Sequence, residues 1–186
     1  MAVGKRQIME RPLVYFVGLS AKPDCEHLAS ETRTGMIIDR IVHNLPSVNS
    51  VRTNLVRTPP VDESGKLRYP NLNEMKLGWN ELQNEISETS PDLLVALGQQ
   101  VSVFIRSQMG VQPAKPKLPL NFSYVSYLSQ SQSSILSVHH PSFIYVYHRK
   151  GIESYIENVV ISICTLVFER RGGIIVLTGP TETLLS

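Results

Sequence analysis

Cysteine is nearly absent from this chain of 186 residues, which has only Cys25 and Cys164. Two thiols are too few for a four-cysteine zinc or iron–sulfur site, and a disulfide scaffold would need more. They read as unrelated thiols in a reducing compartment. Excess charge of one sign is lacking as well: 18 Lys+Arg stand against 16 Asp+Glu, a net +2. That falls short of the basic balance that announces a nucleic-acid binder by itself. Local clusters at Arg52/Arg57, Lys115/Lys117 and Arg149/Lys150 keep such a partner open. Long hydrophobic runs are missing too. Ile135–Val138 and Gly173–Leu177 are typical, far below the ~20 residues of a bilayer span. The first residues, M-A-V-G-K-R-Q-I-M-E-R-P, carry charges but no apolar segment of a signal peptide. The expectation is a soluble, cytoplasmic protein with no membrane partner.

Several fingerprints are absent. No G-x-G-x-x-G, no G-x-x-x-x-G-K-[ST] and no G-x-S-x-G occurs, so dinucleotide, P-loop and serine-hydrolase readings lose their motifs. His139 and His140 are adjacent, but neighbours on a strand point apart, and no carboxylate follows at ligand spacing. No metal and no cofactor is expected.

What is present is core material, with 42% hydrophobic against 18% charged residues, enough for one domain. The expected boundaries are 1–172 for that domain and 173–186 for a C-terminal tail. Leu13–Val17, Val51–Val56, Leu93–Leu97 and Ser134–Val138 read as buried strands, with a further strand in Phe122–Tyr127. Ile37, Ile38, Ile41, Val42 and Leu45 recur at helical spacing before Pro46, as do Leu72, Met75, Trp79, Leu82 and Ile86. Gln99–Ser107 and the stripe from Ile152 to Ile163 complete the helices. Thr58–Asn71 is a long loop of the kind that is functional or disordered, and Met109–Asn121 reads as a linker. Continuous apolar strands alternating with helices predict a parallel sheet covered on both faces. Polar residues cluster after the strand ends, at Gly18–Ser20, Asn54–Pro60, Gly98-Gln99 and His139–Ser142. In open α/β sheets these ends face one ligand cleft.

Two of these segments stand out: R-T-N-L-V-R-T-P-P (Arg52–Pro60) and H-P-S (His140–Ser142). They follow V-G-L-S-A-K-P (Val17–Pro23) and flank P-D-L-L-V-A-L-G (Pro91–Gly98). With these motifs in this order, the chain from about Leu13 to Ile163 resembles the uracil-DNA glycosylase superfamily. The likeness is to its smaller bacterial, archaeal and phage-associated branches without the iron–sulfur cluster. It implies a three-layer α/β/α sandwich on a four-stranded parallel sheet. It also implies a monofunctional DNA glycosylase, acting as a monomer, that flips a nucleotide and hydrolyses its N-glycosidic bond to leave an abasic site. Asn54 matches the family asparagine whose amide offers a donor and an acceptor to a pyrimidine edge. His140 matches the histidine that donates to the pyrimidine O2 as charge develops. Ser142 and Ser20 match hydroxyls that grip phosphates, and Phe143 and Tyr145 stand where the family inserts a minor-groove wedge. Lys22, Arg57, Arg149 and Lys150 are the accompanying candidates for DNA contact. From the residues alone, Asn54 is equally a turn former, His140 a satisfied polar contact, and Phe143 and Tyr145 core aromatics.

The family pattern is broken in the first loop. Leu19 and Ser20 occupy the slots of the water-positioning residue, leaving Asp24, Glu26 or Glu31 to replace it. With Thr34-Gly35 heading the first helix, Ala29, Ser30 and Glu31 stand where the family stacks an aromatic ring on the base. No Phe, Tyr or Trp lies between Val17 and Tyr69. A wider pocket lined by Leu19, Ser20, Ser30 and Glu31 suits a pyrimidine with a bulky 5-substituent, such as a hydroxymethylated or glucosylated cytosine of phage DNA. A role against phage would follow. Uracil repair, a non-catalytic DNA-binding module of the same fold, and a nucleotide-binding or hydrolytic α/β protein with a coincidental H-P-S are the alternatives.

Overall fold

The computed structural model describes residues 11–45, 47–110, 118, 126–129 and 134–170. The expected linker 109–121, apart from Met109, Gly110 and Leu118, residues 122–125 of the further expected strand, and the tail 173–186 lie outside them. Strand β1 (Leu13–Ser20) leads through helix α1 (Arg33–His43) to β2 (Asn49–Val56). Helix α2 (Leu72–Thr89), β3 (Leu93–Leu97) and α3 (Gln99–Gln108) follow. Then come β4 (Ser126–Ser129), β5 (Ser134–Val138), α4 (Pro141–Tyr147), a 3-10 turn and α5 (Ile152–Arg170).

The sheet order is β2-β1-β3-β5-β4. The first four strands are mutually parallel, and β4 runs antiparallel to β5 at the edge. The four-stranded parallel sheet expected from the sequence is therefore present, with a fifth, antiparallel strand added. Side-chain alternation builds the three layers. Val14 and Phe16 of β1 face one way and pack with Ile37, Ile38 and Ile41 of α1 and with Tyr155, Val159 and Ile163 of α5. Tyr15 and Val17 face the other way, against Trp79 and Leu82 of α2 and Val101, Phe104 and Ile105 of α3. Strands covered on both faces are apolar at most positions, which is why β1 and β3 read as continuous runs, while β2 and β5 also bury Thr53, Asn54, Ser134 and Ser137.

Strand β5 ends at Val138 as expected, and the H-P-S segment starts helix α4, with His140 as N-cap and Pro141 at the first helical position, where its missing N–H costs nothing. One expectation needs correction: among the described residues, one helical stretch, 149–168, is long and apolar enough to cross a membrane by length and composition. Its apolar residues are interleaved with polar ones, so no long run betrays it. Here it lies on the sheet as a core helix, with Tyr155, Ile156, Val159, Ile163, Cys164 and Val167 buried.

Candidate active site

The order in which strands are added switches sides between β1 and β3: β2 lies to one side of β1, β3 and β5 to the other. At such a switch point the helices diverge and leave a crevice at the carboxyl ends of the strands. A cavity of about 950 Å³ opens there, with Leu19 and Ser20 from β1, Asn54 from β2, Leu97 and Gly98 from β3, and His140 after β5 in its wall.

Asn54 is held from two sides. It pairs in register with Gly18 of β1, and a Cβ at Gly18 would lie 2.3 Å from Asn54 Oδ1. Gly18 thus does not end the strand; it admits the amide. On its other side, Asn54 Nδ2 lies 2.9 Å from His27 Nδ1. The amide is 3% exposed.

His140 turns its ring back into α4. Its Nδ1 accepts the Ser142 backbone N–H at 3.3 Å and lies 2.7 Å from Ser142 Oγ. An Nδ1 that accepts leaves the ring proton on Nε2. Burial first, and the Lys22 charge second, push this imidazole down to about 4, so it is neutral at neutral pH. Gly98, at φ +94, fits against the ring stem: a Cβ there would stand 3.1 Å from His140 Cβ. Tyr155 of α5 clamps the preceding residue from below by donating to the His139 carbonyl at 2.6 Å.

Of the residues singled out from the sequence, the fold brings His140, Asn54, Glu26, Leu19, Ser20, Lys22, Ser142 and Phe143 into one wall. It does not bring Asp24, Ser30, Glu31, Arg57, Tyr145, Arg149 or Lys150 there. Asp24 is exposed on a turn at φ 56. Ser30 donates to Asp39 at 3.2 Å, on the outer side of the loop, and Glu31 is exposed. Arg57 is turned onto α2, paired with Glu85 and, at 3.9 Å, with Glu81. The guanidinium groups of Arg33 and Arg149 lie over the Tyr145 ring, 5.3 and 5.4 Å from its centre, and Lys150 is exposed. Phe143, though in the wall, stacks on His139 at 5.3 Å between rings.

The missing ring in the first loop does not leave the cleft without aromatics. Tyr69 and Tyr147 line it, 74% and 72% exposed. Tyr69 comes from the long loop, which is folded rather than loose. Val61 bridges Leu67, and Asp62 accepts from the Ser64 and Lys66 backbone N–H groups, each at 2.9 Å. Arg68 then grips Glu74 of α2 through two bonds, 2.9 and 2.7 Å. The hydrogen bonds from Arg68, and next from the Asn71 backbone, hold the Glu74 carboxyl at about 2. Sequence reasoning missed His27, Arg33, Tyr69 and Tyr147, whereas Gln99 lies in the wall as its place after β3 led one to expect. For Tyr69 a signal existed, since a Pro/Gly-punctuated loop ending in a capping box is an ordered one. His27 and Tyr147 carried none. Among the described residues no cluster of His, Cys, Asp and Glu is grouped to hold a metal.

No protein-family model matches the chain, and no curated protein matches it. A solved structure does: wild-type SMUG2 of Pedobacter heparinus superposes with a TM-score of 0.53. It is 11% identical, over 84% of this chain and 76% of that one. The two chains share a fold, and that fold is the uracil-DNA glycosylase-like α/β/α arrangement.

Proposed function

We propose that the protein is a monofunctional DNA N-glycosylase of the uracil-DNA glycosylase superfamily. The observation that carries this reading is His140: a neutral imidazole, protonated on Nε2, in the same cleft wall as the buried amide of Asn54. A flipped pyrimidine would place its hydrogen-bonding edge on Asn54 and its O2 near His140. As the bond from C1′ to the ring nitrogen breaks, its electron pair moves onto the base and O2 gains charge. A neutral N–H donor aimed there stabilises that charge without transferring its proton. Water attacks C1′, and Glu26 is the carboxylate from the first loop that lines the cavity, so it takes the orienting role. Lys22 and Arg33, also in the wall, suit a polyanionic backbone. The fold shared with SMUG2 agrees with this reading.

Within it, a pyrimidine with a polar 5-substituent is the favoured base. The half-open cleft has room beyond a bare ring, and Ser20 and Glu26 in its wall can hydrogen-bond added hydroxyls. A gel assay for abasic sites tests both levels. DNA bearing hydroxymethyl or glucosyl cytosine should be cut after alkali faster than DNA bearing uracil. Clean release of uracil alone would leave ordinary repair as the function. Tight DNA binding with no base released would mark a non-catalytic module.

A further inference from the structure

His27 does not line the cavity, yet it holds the buried group that does. A carboxamide presents a donor on one side and an acceptor on the other, and turning it by a half-rotation exchanges them. The 3,4-edge of uracil offers a donor at N3 and an acceptor at O4. That of a cytosine derivative offers an acceptor at N3 and a donor at the 4-amino group. The direction of the Asn54 amide therefore decides which of the two edges it matches. An asparagine that is to discriminate needs something behind it to hold that direction.

One hydrogen bond does so here: Nδ2 lies 2.9 Å from His27 Nδ1, while Oδ1 sits on the Gly18 side, in space that a Cβ at that position would fill. With Nδ2 donating, His27 Nδ1 accepts, so its ring proton is on Nε2. The opposite tautomer would donate from Nδ1 and call for Oδ1 in place of Nδ2. The loop is built to keep His27 at this station. The next residue, Leu28, has φ +53, a costly conformation for a branched side chain that persists only where its surroundings impose it. Arg52 imposes it, donating to the Leu28 carbonyl at 3.3 Å while paired with Asp39. Arg52 and Asn54 are two apart on β2 and so share a face of the sheet. One strand thus carries both the reading amide and the anchor of the residue that orients it.

We infer that His27 is a positioning residue that fixes the direction of the Asn54 amide and thereby sets which class of pyrimidine, 4-keto or 4-amino, the site selects. This rests on the glycosylase reading of Asn54. Its test compares kcat/KM for duplexes carrying uracil and 5-hydroxymethylcytosine in wild type, His27→Ala and His27→Asp. Removing the acceptor in His27→Ala should collapse the ratio of the two about tenfold, the size of one misdirected hydrogen bond, with DNA affinity preserved. In His27→Asp an acceptor-only carboxylate stands near the Nδ1 position. Its charge lowers both rates, but the ratio should return towards wild type. An unchanged ratio in His27→Ala, or a ratio lost equally in both variants, would overturn the inference. A second readout needs no turnover and no variant: nitrogen-15 correlation spectra of the wild-type His27 ring should show Nε2 protonated and Nδ1 bare. A proton on Nδ1 would overturn the inference whether or not any base is excised. Absence of all excision, with the expected tautomer present, would count against the glycosylase reading while the Asn54–His27 arrangement stood.

Discussion

On the proposed glycosylase reading, His140 and Asn54 divide the work of the cleft by what their side chains can offer. Replacing His140 with alanine would then remove a donor aimed at charge that exists only in the transition state. Single-turnover excision should fall about 10²–10³-fold, with DNA affinity nearly unchanged. The depressed titration of His140 also fixes a pH dependence. The folded form titrates at about 4, whereas a free histidine does so near 6.5. The unfolded chain then binds more protons between those values. The stability contributed by this group is therefore complete above about pH 6.5 and is lost as pH falls towards 4. Urea titrations of wild type and His140→Gln should diverge across that window, and excision should show no acid limb near 6.5 from this residue. Gly18 offers a different test. A methyl group there meets Asn54 Oδ1, so Gly18→Ala should displace the amide and lower both melting temperature and base discrimination.

Among the elements, the loop Thr58–Asn71, read from the sequence as functional or disordered, is ordered. An unstructured loop would leave Tyr69 wandering. Instead the Arg68–Glu74 pair and the capping box of Asn71 with Glu74 tie the loop to the first turn of α2, and they hold the ring at the cleft in solvent. An exposed aromatic kept in place at that cost fits a stacking surface for a base. Tyr69→Ala should weaken binding to DNA about tenfold, while Tyr69→Phe retains it, since stacking needs the ring and not the hydroxyl. Fluorescence anisotropy with a labelled oligonucleotide measures both. Helix α4 shows why elements of seven residues escape periodicity: F-I-Y-V-Y satisfies helix and strand patterns alike. Only the His140-Pro141 start marked it, and that pair was legible as a motif before it was legible as a cap.

At the scale of the whole molecule, a net charge of +2 hides an uneven surface. Lys22, Arg33 and Arg68 meet at the cleft with Glu26 the acidic residue among them, and Arg68 is engaged by Glu74. Replacing Lys22 or Arg33 with alanine should each reduce the slope of log affinity against log salt by about one, read from binding isotherms between low and moderate salt. The alternation of apolar runs already determined the layers of this protein. Leu13–Val17, Leu93–Leu97 and Ser134–Val138 can be buried on both faces only if helices cover both, and parallel connection then brings their carboxyl ends to one edge. Asn54 and His140 follow from that same rule, because Asn54 lies near the carboxyl end of β2 and His140 stands two residues past the end of β5. What the sequence could not decide is which polar residues of a loop turn inward. Asp24 and Glu26, or Ser30 and Thr32, are alike in composition, and only the backbone path between Ala21 and Arg33 separates them. Arg57 shows the same limit: its choice of Glu85 over the cleft depends on α2 lying beside β2, a contact across 28 residues. His27 was silent for this reason as well. Its role exists only because β2 brings Asn54 within 2.9 Å of it, and one strand's hydrophobic pattern carries no information about the polar atom that a distant loop will place behind it.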